Sequence, residues 1–176
     1  MRWSKLKKLV EARFAPSVAG RVELFVTRYK GGEEDVGRWA VRFDGREVEG
    51  LSERTARWRR EQLQAAGRST DEAQAVQIGE GTHDLPQFYR GLEEYLNLSI
   101  DEALASPDVL IRSLALLDRR TGKRRLRQFS FAGLHPLEAA CLAFRRRAEH
   151  IRDERPAGKG TRNADEPPAH EDLRRE

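Results

Sequence analysis

The dipeptide Asp44-Gly45 limits the fold of this chain more than any other feature. Both residues accept positive φ, so the pair closes a tight two-residue hairpin when alternating runs flank it. Such runs are present on both sides. Upstream, Trp39, Val41 and Phe43 share one face of a strand, and Arg38, Ala40 and Arg42 share the other. Downstream, Arg46 to Glu49 returns as a short strand. Further upstream, Val22, Leu24 and Val26 alternate with Glu23, Phe25, Thr27 and Tyr29, which reads as a strand over Arg21 to Lys30. The polar stretch Gly31 to Asp35 joins the first two strands as a turn. These residues specify a three-stranded antiparallel meander whose apolar face needs a cover. A leading helix over about 3 to 14, with Trp3, Leu6, Val10 and Phe14 on one stripe and Pro16 as its stop, is the nearest candidate.

The rest of the chain reads as helices. Residues 53 to 66 suit an exposed helix ended by Gly67. Residues 68 to 82 lack periodicity and read as a loop, with a short strand over Ala75 to Ile78 as an option. Asp84 caps a helix striped by Leu85, Phe88, Leu92 and Tyr95/Leu96, with Pro86 in its first turn. Ser99 and Glu102 have the spacing of a capping box for a short helix. Ser106-Pro107-Asp108 starts another, carrying Leu110, Leu114 and Leu117, and Thr121-Gly122 ends it. Arg124 to Phe129 fits a strand or a turn equally well. The last helix opens at Pro136 and carries Leu137, Ala140/Cys141, Phe144, Ala148 and Ile151. The expected class is α+β: an N-terminal helix plus a three-stranded antiparallel meander packed against a C-terminal helical half. A single domain over 1–154, with lobes at about 1–66 and 83–152, is followed by a charged segment, 155–176, too poor in apolar residues to offset its ordering entropy and therefore expected to be disordered.

Composition removes several function classes. No apolar run approaches the length of a membrane span, and the N-terminus lacks the apolar stretch of a secretory signal. One cysteine, Cys141, cannot form an internal disulfide, so a reducing cytoplasm is the expected location. Net charge is +4 over 176 residues. That is too mild to point to nucleic acid by itself, and the distribution is more informative. Residues 107–152 hold eleven Lys/Arg against four Asp/Glu, whereas residues 1–106 hold seventeen against eighteen. The excess centres on Arg119, Arg120, Lys123, Arg124, Arg125 and Arg127. Arginine contacts phosphate bidentately, and Gly122 permits close backbone approach.

Two readings compete there. The arginines can sit at a helix end, where the dipole favours cations, and pair with nearby acids. Alternatively, they form a basic surface for nucleic-acid phosphates. The cluster lacks the aromatic interleaving of a single-strand binder and the layout of a recognition helix, so backbone contacts with strong salt dependence are expected. Asp118, an acid where the dipole disfavours it, needs a cationic partner among Arg119, Arg120 and Arg124. A second class is a protein-interaction subunit docking a partner through the 53–66 helix. Trp58 there, among Arg54, Arg57, Arg59 and Arg60, is either the one buried residue of that helix or an exposed anchor. An enzyme is the least supported class.

The stretch from Arg2-Trp-Ser-Lys-Leu-Lys-Lys through Arg13-Phe-Ala-Pro-Ser-Val18 to Gly20-Arg-Val-Glu23 and Thr27-Arg-Tyr29 has a familiar pattern. So does Leu117-Asp-Arg-Arg-Thr-Gly-Lys-Arg-Arg-Leu126 followed by His135-Pro-Leu137. Together they resemble a group of bacterial proteins of similar length known as conserved hypothetical proteins, over roughly 2–30 and 83–149. The resemblance implies a bacterial cytosolic origin and one integral fold. It carries no activity, cofactor or catalytic residue.

No catalytic set emerges. His83, His135, His150 and His170 lack metal-ligand spacing, and no cofactor is called for. His135 reads as a cap or a packing residue, and His83-Asp84 as an acid–base pair whose acid already caps a helix. There is no nucleophile elbow, and Cys141 lies on an apolar stripe. Glu11, Asp44 and Glu47 loosely mimic a restriction-type nuclease core, but the position that needs lysine is Glu49. The sheet arginines Arg38, Arg42 and Arg46 are expected opposite Trp39, with Glu23 or Glu47 as cross-strand partners. Trp3 and Trp39 read as core.

Overall fold

A computed structural model describes residues 1–29 and 36–151. The expected Gly31–Asp35 turn and the 155–176 segment lie outside the described residues.

Helix α1 (Trp3–Glu11) leads into the meander β1 (Val22–Tyr29), β2 (Val36–Phe43) and β3 (Arg46–Ser52), in sheet order β1-β2-β3. Asp44 (φ 49°) and Gly45 (φ 77°) turn the β2–β3 hairpin as anticipated. The Arg21 guanidinium holds Asp44 at 2.9 and 2.8 Å. β3 runs further than Glu49. Its register shifts at Val41/Arg42, where Glu49 faces Val41 and Glu47 faces Arg42, so Val48 is the extra residue of a bulge. One face of the sheet (Val22, Leu24, Trp39, Val41, Phe43) is buried. On the other, Arg38 pairs with Glu47, Arg42 pairs with Glu23 at 3.7 Å, and the Arg42 guanidinium lies 3.7 Å over the Phe25 ring.

Helix α1 ends at Glu11 rather than Phe14. Beyond it the backbone leaves the helix, and Phe14 forms an isolated antiparallel bridge with Asp118. Ala15 N–H donates to Leu117 O, and Arg119 N–H to Arg13 O. Two α1 side chains reach the outer edge of β1: Glu11 accepts the Leu24 N–H at 2.9 Å, and Lys7 donates to Leu24 O at 2.9 Å.

Helices α2 (Glu53–Ala65) and α3 (Thr70–Gly79) form a hairpin beside β2 and β3. α3 corrects the expected loop over 68–82 and the optional strand at Ala75–Ile78. It buries only Ala73 and Gln77, so no apolar stripe marks it. Ser69 and Glu72 form a reciprocal capping box, and Gln77 Nε2 donates to Ala56 O at 2.7 Å. Arg59 grips Glu80 at 2.8 and 2.6 Å across the hairpin.

The C-terminal half comprises α4 (Leu85–Asn97), α5 (Ile100–Ala105), α6 (Val109–Leu117), α7 (Lys123–Gln128) and α8 (Pro136–Ala148). α4 carries a capping box from Asp84 and Gln87, and α5 one from Ser99 and Glu102. α6 is buried almost all round, packed between α4, α5 and α8. The sheet meets this half through ring contacts. Trp39 stacks on Phe88 at 4.7 Å, and Phe43 on Phe144 at 4.3 Å. A single hydrophobic cluster runs from Leu6 through Leu24 and Trp39 to Leu142 and Phe144. The architecture is α+β, with the N-terminal helix and meander against a helical half.

Candidate nucleic-acid interface

The basic segment starts where α6 stops. Asp118 leaves helical geometry (φ −66°, ψ 139°), and Thr121 folds the turn back by donating its hydroxyl to Ala115 O at 2.6 Å. Gly122 then opens α7 in extended geometry (φ −73°, ψ 163°). The helical span Lys123–Gln128 corrects the expected strand or turn over Arg124–Phe129. α7 is too short to show a period; its one inward residue is Leu126, fully buried.

Asp118 organises the turn. Its side chain is wholly buried. It accepts the Arg120 N–H at 2.8 Å, the Arg120 guanidinium at 3.0 and 2.8 Å, and the Tyr95 hydroxyl at 2.5 Å. Of the three anticipated partners, Arg120 is the one in place. Burial alone would raise the Asp118 carboxyl, but the hydrogen bonds from Arg120 and Tyr95 outweigh it and hold the group below the ordinary carboxylate range. Burial first, and then the Asp118 carboxylate, push the Tyr95 phenol well upward.

Two arginines that sequence reasoning did not single out brace the segment from behind. Arg145 and Arg146 of α8 are both buried. Arg145 donates to Leu117 O at 2.9 Å and pairs with Glu149 at 3.0 Å. Arg146 donates to Leu126 O at 2.7 Å and Phe129 O at 2.6 Å. They satisfy carbonyls at the ends of α6 and α7 that have no helical partner. The available signal was the run Arg145-Arg146-Arg147 at the end of the clearest apolar stripe, where the helix face must carry some of those residues inward.

The six candidate side chains divide evenly. Arg120 is committed to Asp118, Lys123 pairs with Glu149 at 3.1 Å, and Arg125 pairs with Asp101 at 2.8 Å. Arg119, Arg124 and Arg127 are exposed and make no side-chain ion pair or hydrogen bond among the described residues. Arg124 and Arg127 stand three apart on α7, on one side of the helix.

Trp58 is 58% exposed on α2, so of its two sequence readings the buried one is excluded. Its neighbours Arg59 and Arg60 are committed to Glu80 and Asp84. Trp39 is core, and Trp3 packs edge-on to Tyr89 at 5.5 Å. His83 is buried with Nε2 2.9 Å from Asp108, not from Asp84, which caps α4 and receives Arg60. His135 Nδ1 accepts the Leu137 N–H at 3.2 Å, a cap as expected. Burial pushes the Cys141 thiol far up, so its nucleophilic form is suppressed. Glu11, Asp44 and Glu47 hold Leu24, Arg21 and Arg38 respectively, so they do not converge. Among the described residues no group of His, Cys, Asp and Glu could hold a metal ion, and no helix is long and apolar enough to cross a membrane.

Compared with known proteins, residues 2–146 match the model of the SF0329 protein family. No curated protein and no solved structure matches the chain.

Proposed function

The chain belongs to the SF0329 protein family, over a span that takes in both the meander and the basic turn, and from that premise we propose that it is a non-enzymatic bacterial cytoplasmic protein that binds nucleic acid through the phosphates. The observation that carries this reading is the contrast within residues 119–127. Arg120, Lys123 and Arg125 are tied to acids, whereas Arg119, Arg124 and Arg127 face water without a counter-charge among the described residues. Exposed guanidinium groups on a braced backbone suit phosphate contacts, which position a ligand without reading its sequence.

The test is a triple variant, Arg119→Ala, Arg124→Ala and Arg127→Ala, run on heparin and DNA columns. These side chains are exposed, so the fold is retained. The parent is expected to bind at low salt and release as salt rises. The variant should elute early, with the slope of log affinity against log salt reduced by roughly 2 to 3. Co-elution of variant and parent at every salt concentration would exclude the reading.

A second reading rests on Trp58. A tryptophan exposed to this extent suits a contact anchor, since tryptophan is enriched among interface hot spots. It makes α2 a docking helix for a protein partner, weakened by Trp58→Ala and indifferent to the arginine variant in a pull-down.

A further inference from the structure

Two aromatic residues follow α7 closely in the chain. Phe129 follows the helix directly, and Phe131 lies two residues on with 40% of its surface exposed. Phe129 is half-buried and lines a surface hollow of about 270 Å³ with Asp101 and Leu104 of α5 and Arg125 and Gln128 of α7. That is below the usual size of a cofactor site. It has room for one planar ring.

The hollow and the exposed cations share an edge. Gln128 follows Arg124 by four residues, so the two are neighbours on the helix surface. Their electrostatics differ. Asp101 pairs with Arg125 at 2.8 Å at the hollow, while Arg124 and Arg127 outside it have no counter-charge among the described residues. A mixed hollow whose apolar part is Leu104 and Phe129, set beside a cationic stripe, suits an uncharged heterocycle attached to a phosphodiester. In a duplex the base faces are stacked and hidden; a single strand presents them. The Phe131 ring, with the Arg146 guanidinium 5.0 Å from its centroid, offers a second exposed face.

We propose that this surface takes single-stranded nucleic acid, with backbone phosphates on Arg124 and Arg127, one unstacked base in the α5–α7 hollow against Phe129, and a second on Phe131. The inference rests on the phosphate-binding reading and names its ligand. The aromatic rings follow the arginines in sequence instead of alternating with them. The helical turn of α7 and the contact with α5 put Phe129 and Gln128 on one hollow, and Gln128 lies next to Arg124 on the helix surface.

The experiment is fluorescence anisotropy on the full chain with a labelled oligothymidine of about 12 nucleotides and with a duplex of the same length. The single strand is expected to bind more tightly. Phe129→Leu keeps apolar volume and removes the π face, and should weaken single-strand binding roughly five- to a hundredfold while leaving heparin retention unchanged. Phe131→Leu, at an exposed position, is the second variant and should act in the same direction even if Phe129→Leu disturbs packing. Equal or tighter duplex binding, or Phe131→Leu matching the parent on the single strand, would overturn the inference and leave the phosphate reading standing. Failure of the parent to bind heparin, duplex or single strand would overturn both.

Discussion

Asp118 concentrates more structural work than any other charged residue of the turn. Its carboxylate holds one backbone N–H, one guanidinium and one phenol, all at a site closed to water. Asp118→Asn should cost about 3 kcal/mol in urea unfolding, because it leaves buried donors unmatched. The pH dependence has a definite sign. The folded-state value lies below the unfolded one, so the unfolded chain binds the extra proton. The contribution of Asp118 is therefore complete above about pH 4 and is lost as pH falls through its folded value. Thermal unfolding from pH 6 downward should fall less steeply for Asp118→Asn than for the parent; parallel curves would contradict it. At this scale the sequence was partly legible. An acid at a helix C-terminus announces a need for cations, and Arg120 met it. Tyr95 was not readable as a partner, because it approaches from 23 residues away on α4. Trp58 was undecided for a related reason: an arginine-rich helix with one tryptophan does not state which side faces the protein.

At the scale of elements, local chemistry was readable wherever it was self-contained. The Asp44-Gly45 turn, the Asp84 cap, the Ser99 capping box and the histidine cap of α8 all formed, because each closes on residues within a few positions. α3 failed for lack of an apolar stripe: its inward position is a glutamine bonded to α2. Its signature was nevertheless present as Ser69-x-x-Glu72. Ser69→Ala should cost about 1 kcal/mol, read as faster amide exchange confined to α3. α7 failed because six residues are too few to show a period, and the carbonyls of its C-terminal end are satisfied by a distant helix. Arg146→Met is therefore expected to free the carbonyls of Leu126 and Phe129 and to destabilise the protein by about 2 to 3 kcal/mol, with loss of protection along α7 in hydrogen exchange. Unchanged protection there would mean that Leu126 alone holds the helix.

At the scale of the molecule, the α+β class followed from the separation of period-two and helical segments along the chain. The partner of each face did not, since periodicity marks an apolar side without saying what covers it. The sheet is covered by α4 and α8, through Phe88 and Phe144, together with α1. Its core is continuous with that of the helical half. A fragment ending at residue 66 would expose Trp39, Val41 and Phe43, and should show a disordered circular dichroism spectrum and no cooperative melt. A folded fragment would mean that α1 suffices as a cover.

The side chains of Lys7 and Glu11 have one more effect. By occupying the amide and carbonyl of Leu24, they block strand addition at that point of the β1 edge. Losing that guard would leave an open template, so Glu11→Ala should turn a well-behaved protein toward self-association and turbidity on mild warming before its core has melted.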